Sequence, residues 1–400
     1  MTGIGDRLDL DVGAIAHGGH CVARAGDGRV VFVRHSLPGE RVRAVVTEER
    51  TGYLRADAVE IVRASPDRVP PPCRFSGPDN CGGCDFQHVA PGAQRDLKTA
   101  VVVEQLSRLG HLSDAEIGAL DVRVQALPGG PLGWRSRIRY TVDGTGRSGL
   151  LKHRSHEVVE LDRCVIATPE VVAATVTSEQ WDSDDHVDVV SSGTGEVAVL
   201  AGREGVTPRL VSGPPKITEV LGEREWRLNP SAFWQVHPAA ADTFVRAAME
   251  LLAPRPGEHA WDLYGGAGIF AAALAERVGP RGSVALVETD HRALDSASAS
   301  LADLPQITYV KSKVERVRLR VKPDLVVLDP PRSGAGAAVV RMVSEARPRA
   351  IAYVACDPAA LARDVATFRK DGWRLSALRA FDAFPMTHHV ECIALLEPGR

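Results

Sequence analysis

The sequence predicts an α/β fold preceded by a small β-barrel, on three observations. From about residue 229, short apolar runs alternate with helical stretches. Residues 1–62 break instead into short, regularly punctuated strands, and the proline run 69–72 marks the end of that style. Four hundred residues exceed one ordinary core, so two or three domains are expected.

Within residues 1–62 the runs 29–34 and 40–46 alternate apolar with polar residues, and Gly18-Gly19, Gly26–Gly28 and Pro38-Gly39 supply turns between strands. Strands this short point to a small barrel of the oligonucleotide-binding kind. Residues 63–228 are mixed. A helix is expected over 91–111, with Val102, Leu106 and Leu109 on its apolar side and a stop at Gly110. An acidic stretch, 177–204, holds seven acids against Arg203 and is expected to be a solvated face. In residues 229–400 the runs 260–263, 283–287, 324–328 and 350–354 read as strands of a parallel sheet with helices on both faces. Such sheets bind ligands at the carboxyl ends of their strands.

Composition narrows the function. With 44% hydrophobic and 25% charged residues and a formal net charge of −3, the chain does not coat nucleic acid through bulk charge. Asp6, Arg7, Asp9 and Asp11 interrupt the N-terminus, and no run approaches the ~18 apolar residues of a membrane span. A cytoplasmic monomer with no membrane partner is expected. Seven cysteines, an odd number, argue against a disulfide framework and for metal or catalytic roles.

Asp262 to Phe270 follows the first of these strands and opens a helix, and its glycines allow close backbone approach to a ligand. Glu288 ends the next strand, placed to accept hydrogen bonds from ribose hydroxyls. This Rossmann-like pairing suits NAD as well as S-adenosylmethionine (SAM). Asp329-Pro-Pro-Arg332 shifts the balance, because two prolines present Asp329 rigidly at a strand end, as enzymes gripping a planar base require. Cys356 follows the strand 350–354, with Asp357 as N-cap and Pro358 as first helical residue. Helix-end amides lower a thiol's pKa, which favours a nucleophile there. A thiol has a use in this chemistry. Carbon 5 of uracil is too weakly nucleophilic to take a sulfonium methyl until a thiolate adds at carbon 6. The carbon 5 proton must then leave to a base, for which Glu391, in the run 384–393, is the candidate.

Taken in order, these segments resemble the RNA 5-methyluridine methyltransferase family. The resemblance extends to Asn229–His237 and implies that Phe233 stacks on the flipped uracil. It further implies that Gln235, Tyr264, Glu288 and Asp329 bind SAM and its surroundings, and that His389 stands two residues before the base. There are two departures, Ile269 in place of a polar residue and Asp357 in place of asparagine. The second puts an acid beside the thiol.

Cys73, Cys81 and Cys84, with Cys164 far along the chain, are consistent by spacing with tetrahedral zinc or a four-iron cluster. The residues around them resemble the [4Fe–4S] site of the family's rRNA-modifying branch, which implies a structural cluster rather than zinc. Residues 123–154 hold seven basic residues against Asp143, and Arg135, Arg137 and Arg139 alternate along one strand, a local patch for RNA. The first 60 residues resemble a TRAM domain, and that module with the cysteine cluster implies, by resemblance, 23S rRNA rather than tRNA as substrate. Competing readings are a cytosine or DNA methyltransferase and a catalytically dead iron–sulfur RNA-binding module.

Overall fold

The computed structural model describes residues 3–181 and 184–399; Asp182 of the acidic stretch lies outside them. The first sheet has six strands in the order Arg7–Asp11, Arg41–Arg50, Tyr53–Arg63, Val30–Arg34, His20–Arg24 and Ile15–Ala16. Its long antiparallel hairpin forms because alternate residues (Val42, Ala44, Val46, Leu54, Ala56) turn to one buried face. Phe86, Val89 and Val101, from beyond the proline run, complete that core.

A second six-stranded sheet includes Arg137–Val142, His186–Ser191 and Val197–Gly202 and is antiparallel throughout. The third sheet has eight strands. Ile307–Lys311, Ser283–Glu288, His259–Leu263, Leu325–Leu328 and Ala350–Ala355 lie parallel, and the near-continuous apolar runs of the last three are buried on both faces. Glu391–Pro398 joins antiparallel, followed by Trp373–Asp382 and, at the edge, Val124–Ala126.

That edge strand comes from the part of the chain expected in the central region. The helix Pro91–Arg108 travels with it, ending where the expected Gly110 stop requires. Val102, Leu106, Leu112, Ile117 and Val124 pack in one core with Tyr353, Leu361, Val365 and Phe368 of the large sheet and its covering helix. Apolar periodicity showed that the helix must bury a face, but not which core would receive it. Lys98, fully buried on the same helix, pairs with Asp382 Oδ1 at 2.5 Å across the junction. Among the described residues no helix is long and apolar enough to cross a membrane.

Candidate active site

Strand direction gathers the site. The glycine loop, Glu288, Asp329 and Cys356 each stand at or just past the carboxyl end of a parallel strand. Glu391 opens an antiparallel strand in register with Ala355 through Cys392, so its beginning lies at the same edge. All of them line one cavity of about 820 Å³, together with Phe233, Gln235, Tyr264, Arg332 and His389.

The glycine loop is shaped by contact. A Cβ at Gly265 would meet Leu286 at 2.8 Å and Asp262 Oδ2 at 3.0 Å, and Tyr264 adopts φ 64° to bring the chain round. Gly266 N donates to Glu288 Oε2 at 3.0 Å, while Glu288 Oε1 accepts Asp290 N at 2.9 Å. Glu288 thus joins the loop to the next helix, leaving the cavity floor open where a Cβ at Gly266 would meet nothing within 4 Å. Behind it Asp262 is fully buried and accepts Ala271 N at 2.9 Å, and burial, then Asp329 and Glu288, push its pKa up to about 7. An open backbone cradle beside an acid fits an adenosyl group. Ile269 lines the cavity as an apolar residue, in keeping with that departure from the family pattern.

The reacting end is crowded with acids. Burial alone raises Asp329 to about 7. Glu391 is 4% exposed, and burial followed by the charge of Asp329 lifts it well above the carboxylate range, with Arg332 opposing. Asp357 caps the helix Pro358–Lys370 as its position predicts, accepting Ala360 N at 2.7 Å. The expected lowering of the Cys356 thiol is not what the structure gives. Burial, Glu391, Asp329 and Asp357 together push it up to about 11, against the pull of Arg332 and the helix end. Asp329 and Glu391 are thus both raised, whereas Asp357 is held low. His389 is pushed down to about 3, chiefly by burial, and is neutral.

The three arginines do not form one RNA-facing row. Arg137 turns inward, donating to the carbonyls of Pro230 (3.2 Å) and Ala232 (2.6 Å) and to Glu219 Oε1 (3.0 Å). It anchors the loop that leaves Phe233 72% exposed, so its assignment to RNA is corrected: strand alternation fixes a face but not what covers it. Arg139 is exposed but forked onto Asp188 at 2.7 and 2.8 Å. Arg135 remains at the cavity wall.

Cys73, Cys81, Cys84 and Cys164 line a single small cavity that Arg135 also borders. Among the described residues no group of His, Cys, Asp or Glu is already drawn together as a metal site. Burial raises the thiols of Cys81, Cys84 and Cys164, each with at least one other of the four as neighbour. Four half-buried thiols lining one cavity fit a cationic centre, which is what lets such groups ionise. Trp134 lines the large cavity, stacks on His237 at 6.0 Å, and joins Ile166 and Met386 in a cluster on which Cys84 and Cys164 pack. Sequence reasoning missed Trp134, and a lone tryptophan offers no signal to find it by.

A glycine cradle with an acid at the next strand end, opening onto a second, reactive subsite, defines a SAM-dependent methyltransferase. Known proteins agree. A family model described as tRNA (Uracil-5-)-methyltransferase matches residues 312–398, a TRAM domain model residues 2–59, and a methyltransferase small domain model residues 239–351. The chain is 46% identical over 430 residues to an uncharacterized RNA methyltransferase of Streptomyces avermitilis, with 99% of each covered. It is 33% identical over 436 residues to the 23S rRNA (uracil(1939)-C(5))-methyltransferase RlmD of Chromohalobacter salexigens, covering 97% of this chain and 88% of that one. The tRNA (uracil-54, C5)-methyltransferase of Pyrococcus abyssi, solved with S-adenosyl-L-homocysteine, shares the fold, with a TM-score of 0.72, 22% identity and coverage of 97% and 99%. The chain belongs to the RNA uracil-5 methyltransferase family and carries an N-terminal TRAM domain.

Proposed function

We propose that the protein methylates carbon 5 of a uridine in 23S rRNA, with Cys356 as nucleophile and Glu391 as base. The observation that carries this reading is the convergence of Cys356, Glu391 and Asp329 on the cavity that the glycine loop and Glu288 also line. Bound SAM supplies an electrophilic methyl group. Phe233, held out by Arg137, offers a face on which an extruded uracil stacks. Cys356, once its proton has passed to solvent, adds as the thiolate to carbon 6 and makes carbon 5 nucleophilic. After methylation Glu391, as the carboxylate, accepts the carbon 5 proton, the carbon 5–carbon 6 double bond re-forms, and the thiolate leaves. A carboxylate whose pKa is raised by burial is the stronger base for that step.

The rRNA reading rests on the RlmD relative, the TRAM domain and the cysteine set. Cys73, Cys81, Cys84 and Cys164 would hold a [4Fe–4S] cluster that braces Trp134 and Arg135 at the cavity wall. Methyl transfer itself needs no electrons. The test of the mechanism is Cys356→Ala, which should bind SAM and RNA yet transfer no methyl, and appreciable turnover by it overturns the covalent route. Mass mapping of rRNA and tRNA from a deletion strain identifies the target, and loss of a tRNA methyl alone overturns the rRNA assignment.

A further inference from the structure

The turn His17–Gly19 of the N-terminal sheet reaches the reacting segments directly. His17 Nε2 lies 2.9 Å from Asp357 Oδ2, across 340 positions of sequence. The other oxygen of Asp357 caps the helix that follows the nucleophile, so one carboxylate ties that helix to the barrel. Two residues further on, a Cβ at Gly19 would meet the Cβ atoms of His388 at 2.8 Å and of Asp85 at 3.2 Å. Gly19 has φ 78°, and only glycine lets the turn seat this closely. His388 is hydrogen-bonded to Asp85 at 2.6 Å and adjoins His389 in the cavity wall. The barrel therefore contacts the segments on both sides of the Cys356 pocket.

Resting on the reading of Cys356 as nucleophile, we propose that His17 is a positioning residue which the N-terminal barrel contributes to the methyl-transfer site. It donates to Asp357 Oδ2 and holds it toward the barrel, so that the negative charge of this carboxylate is engaged away from the thiolate next to it. The groups facing Cys356 are Glu391, Arg332, Asp329, Asp357 and Cys392, and those facing Asp357 are His17, Arg363, Cys356 and Cys392. Burial works to raise Asp357, but the hydrogen bonds from His17 and Ala360 N outweigh it and hold the carboxyl low, as an anion. An anion one residue from a nucleophilic thiol is unfavourable unless a donor is set against it. His17 is that donor. The aspartate that departs from the family's asparagine and the histidine of the barrel thus act as a pair.

The test reads thiol ionisation without turnover, in the full-length, RNA-free protein. Cys356 is alkylated with iodoacetamide across pH, and the Cys356 peptide is quantified by mass spectrometry. His17→Ala should move the profile to higher pH and slow alkylation at pH 8 about two- to fivefold, the scale of one partly exposed hydrogen bond. His17→Gln, which keeps a donor, should restore part of that loss. Asp357→Asn, which keeps a capping oxygen, should move the profile to lower pH, and the double variant should match Asp357→Asn alone. The proposal is overturned by a His17→Ala profile that superimposes on wild type, or by equal slowing in the Asp357→Asn background. Should His17→Ala not fold, an Asp357→Asn profile that stays put or moves upward overturns it too. Methyl transfer by Cys356→Ala refutes the nucleophile instead, and leaves the alkylation shifts standing.

Discussion

The hydroxyl of Tyr353 donates to Asp364 Oδ2 at 2.6 Å, and the same oxygen accepts the amide of Ala335 at 2.7 Å. This buried junction ties the turn after Asp329-Pro-Pro-Arg332 to the helix behind Cys356. Asp364→Ala takes the acceptor from the buried Tyr353 hydroxyl and leaves the Ala335 amide only that hydroxyl, at 3.0 Å, as partner; it should cost about 3 kcal/mol, whereas Tyr353→Phe should cost about 1 kcal/mol. Denaturant unfolding of both variants measures this, and equal costs would show that the carboxylate is not the hub.

Glu391→Gln separates base from bystander. Burial disfavours the charged form of Glu391, and glutamine is uncharged and nearly isosteric with it, so stability should change by less than about 1 kcal/mol. The thiol should still add and the methyl still transfer, but elimination should stall. A SAM-dependent covalent RNA adduct should then appear as a slow band on a denaturing gel. Wild-type protein should be trapped likewise by 5-fluorouridine in the target, because fluorine does not leave as a proton. Normal turnover without an adduct would move the role to another group, His389 first.

The arginines should part company. Arg137 is 12% exposed at its side chain and paired with Glu219, so Arg137→Met should destabilise by about 3 kcal/mol, the cost of an orphaned buried partner. Arg139→Ala removes an exposed pair worth at most about 1 kcal/mol. In salt titrations of RNA binding, Arg135→Ala should lower the slope by about one, as loss of one phosphate contact does. Arg139→Ala should leave it nearly unchanged. An unchanged slope for Arg135→Ala would remove it from the RNA path.

Asp262 gives stability a pH dependence of known sign. Its folded pKa, about 7, lies above its ordinary 3.8, so the folded state favours the protonated form. Whatever stability this brings is complete below about pH 4 and is lost as pH rises through 7. The melting-temperature difference between wild type and Asp262→Asn should therefore fall from pH 4 to 7 and flatten above it. A difference that is constant or rises across this window contradicts the assignment.

Anaerobically purified protein should be brown and contain about four irons per chain, the stoichiometry of a cubane on four thiolates. Cys84→Ala should lose the colour and, by loosening Trp134, lower the melting temperature. Stoichiometric zinc without iron would overturn the choice of metal, leaving the four ligands in place.

The chain itself determined the features that local chemistry dictates. Alternating apolar runs made the parallel strands, glycines made the cofactor turn, and Asp357 with Pro358 started the helix after Cys356, all within one or two turns of backbone. Glu391 was legible as a carboxylate in an apolar run, but its place beside Cys356 depended on an antiparallel strand whose direction no local pattern states. Tertiary structure alone decided the charge balance at the thiol. The helix end was visible in sequence, whereas Asp329, Glu391 and the burial that outweigh it come from elsewhere in the chain. It also decided that Arg137 points inward and that Val124–Ala126 completes the large sheet. Strand alternation assigns faces, while what covers a face is set by parts of the chain distant in sequence. The contact between His17 and Asp357 is the extreme case, since neither residue's surroundings hint at the other and only packing of the barrel against the large sheet brings them to 2.9 Å.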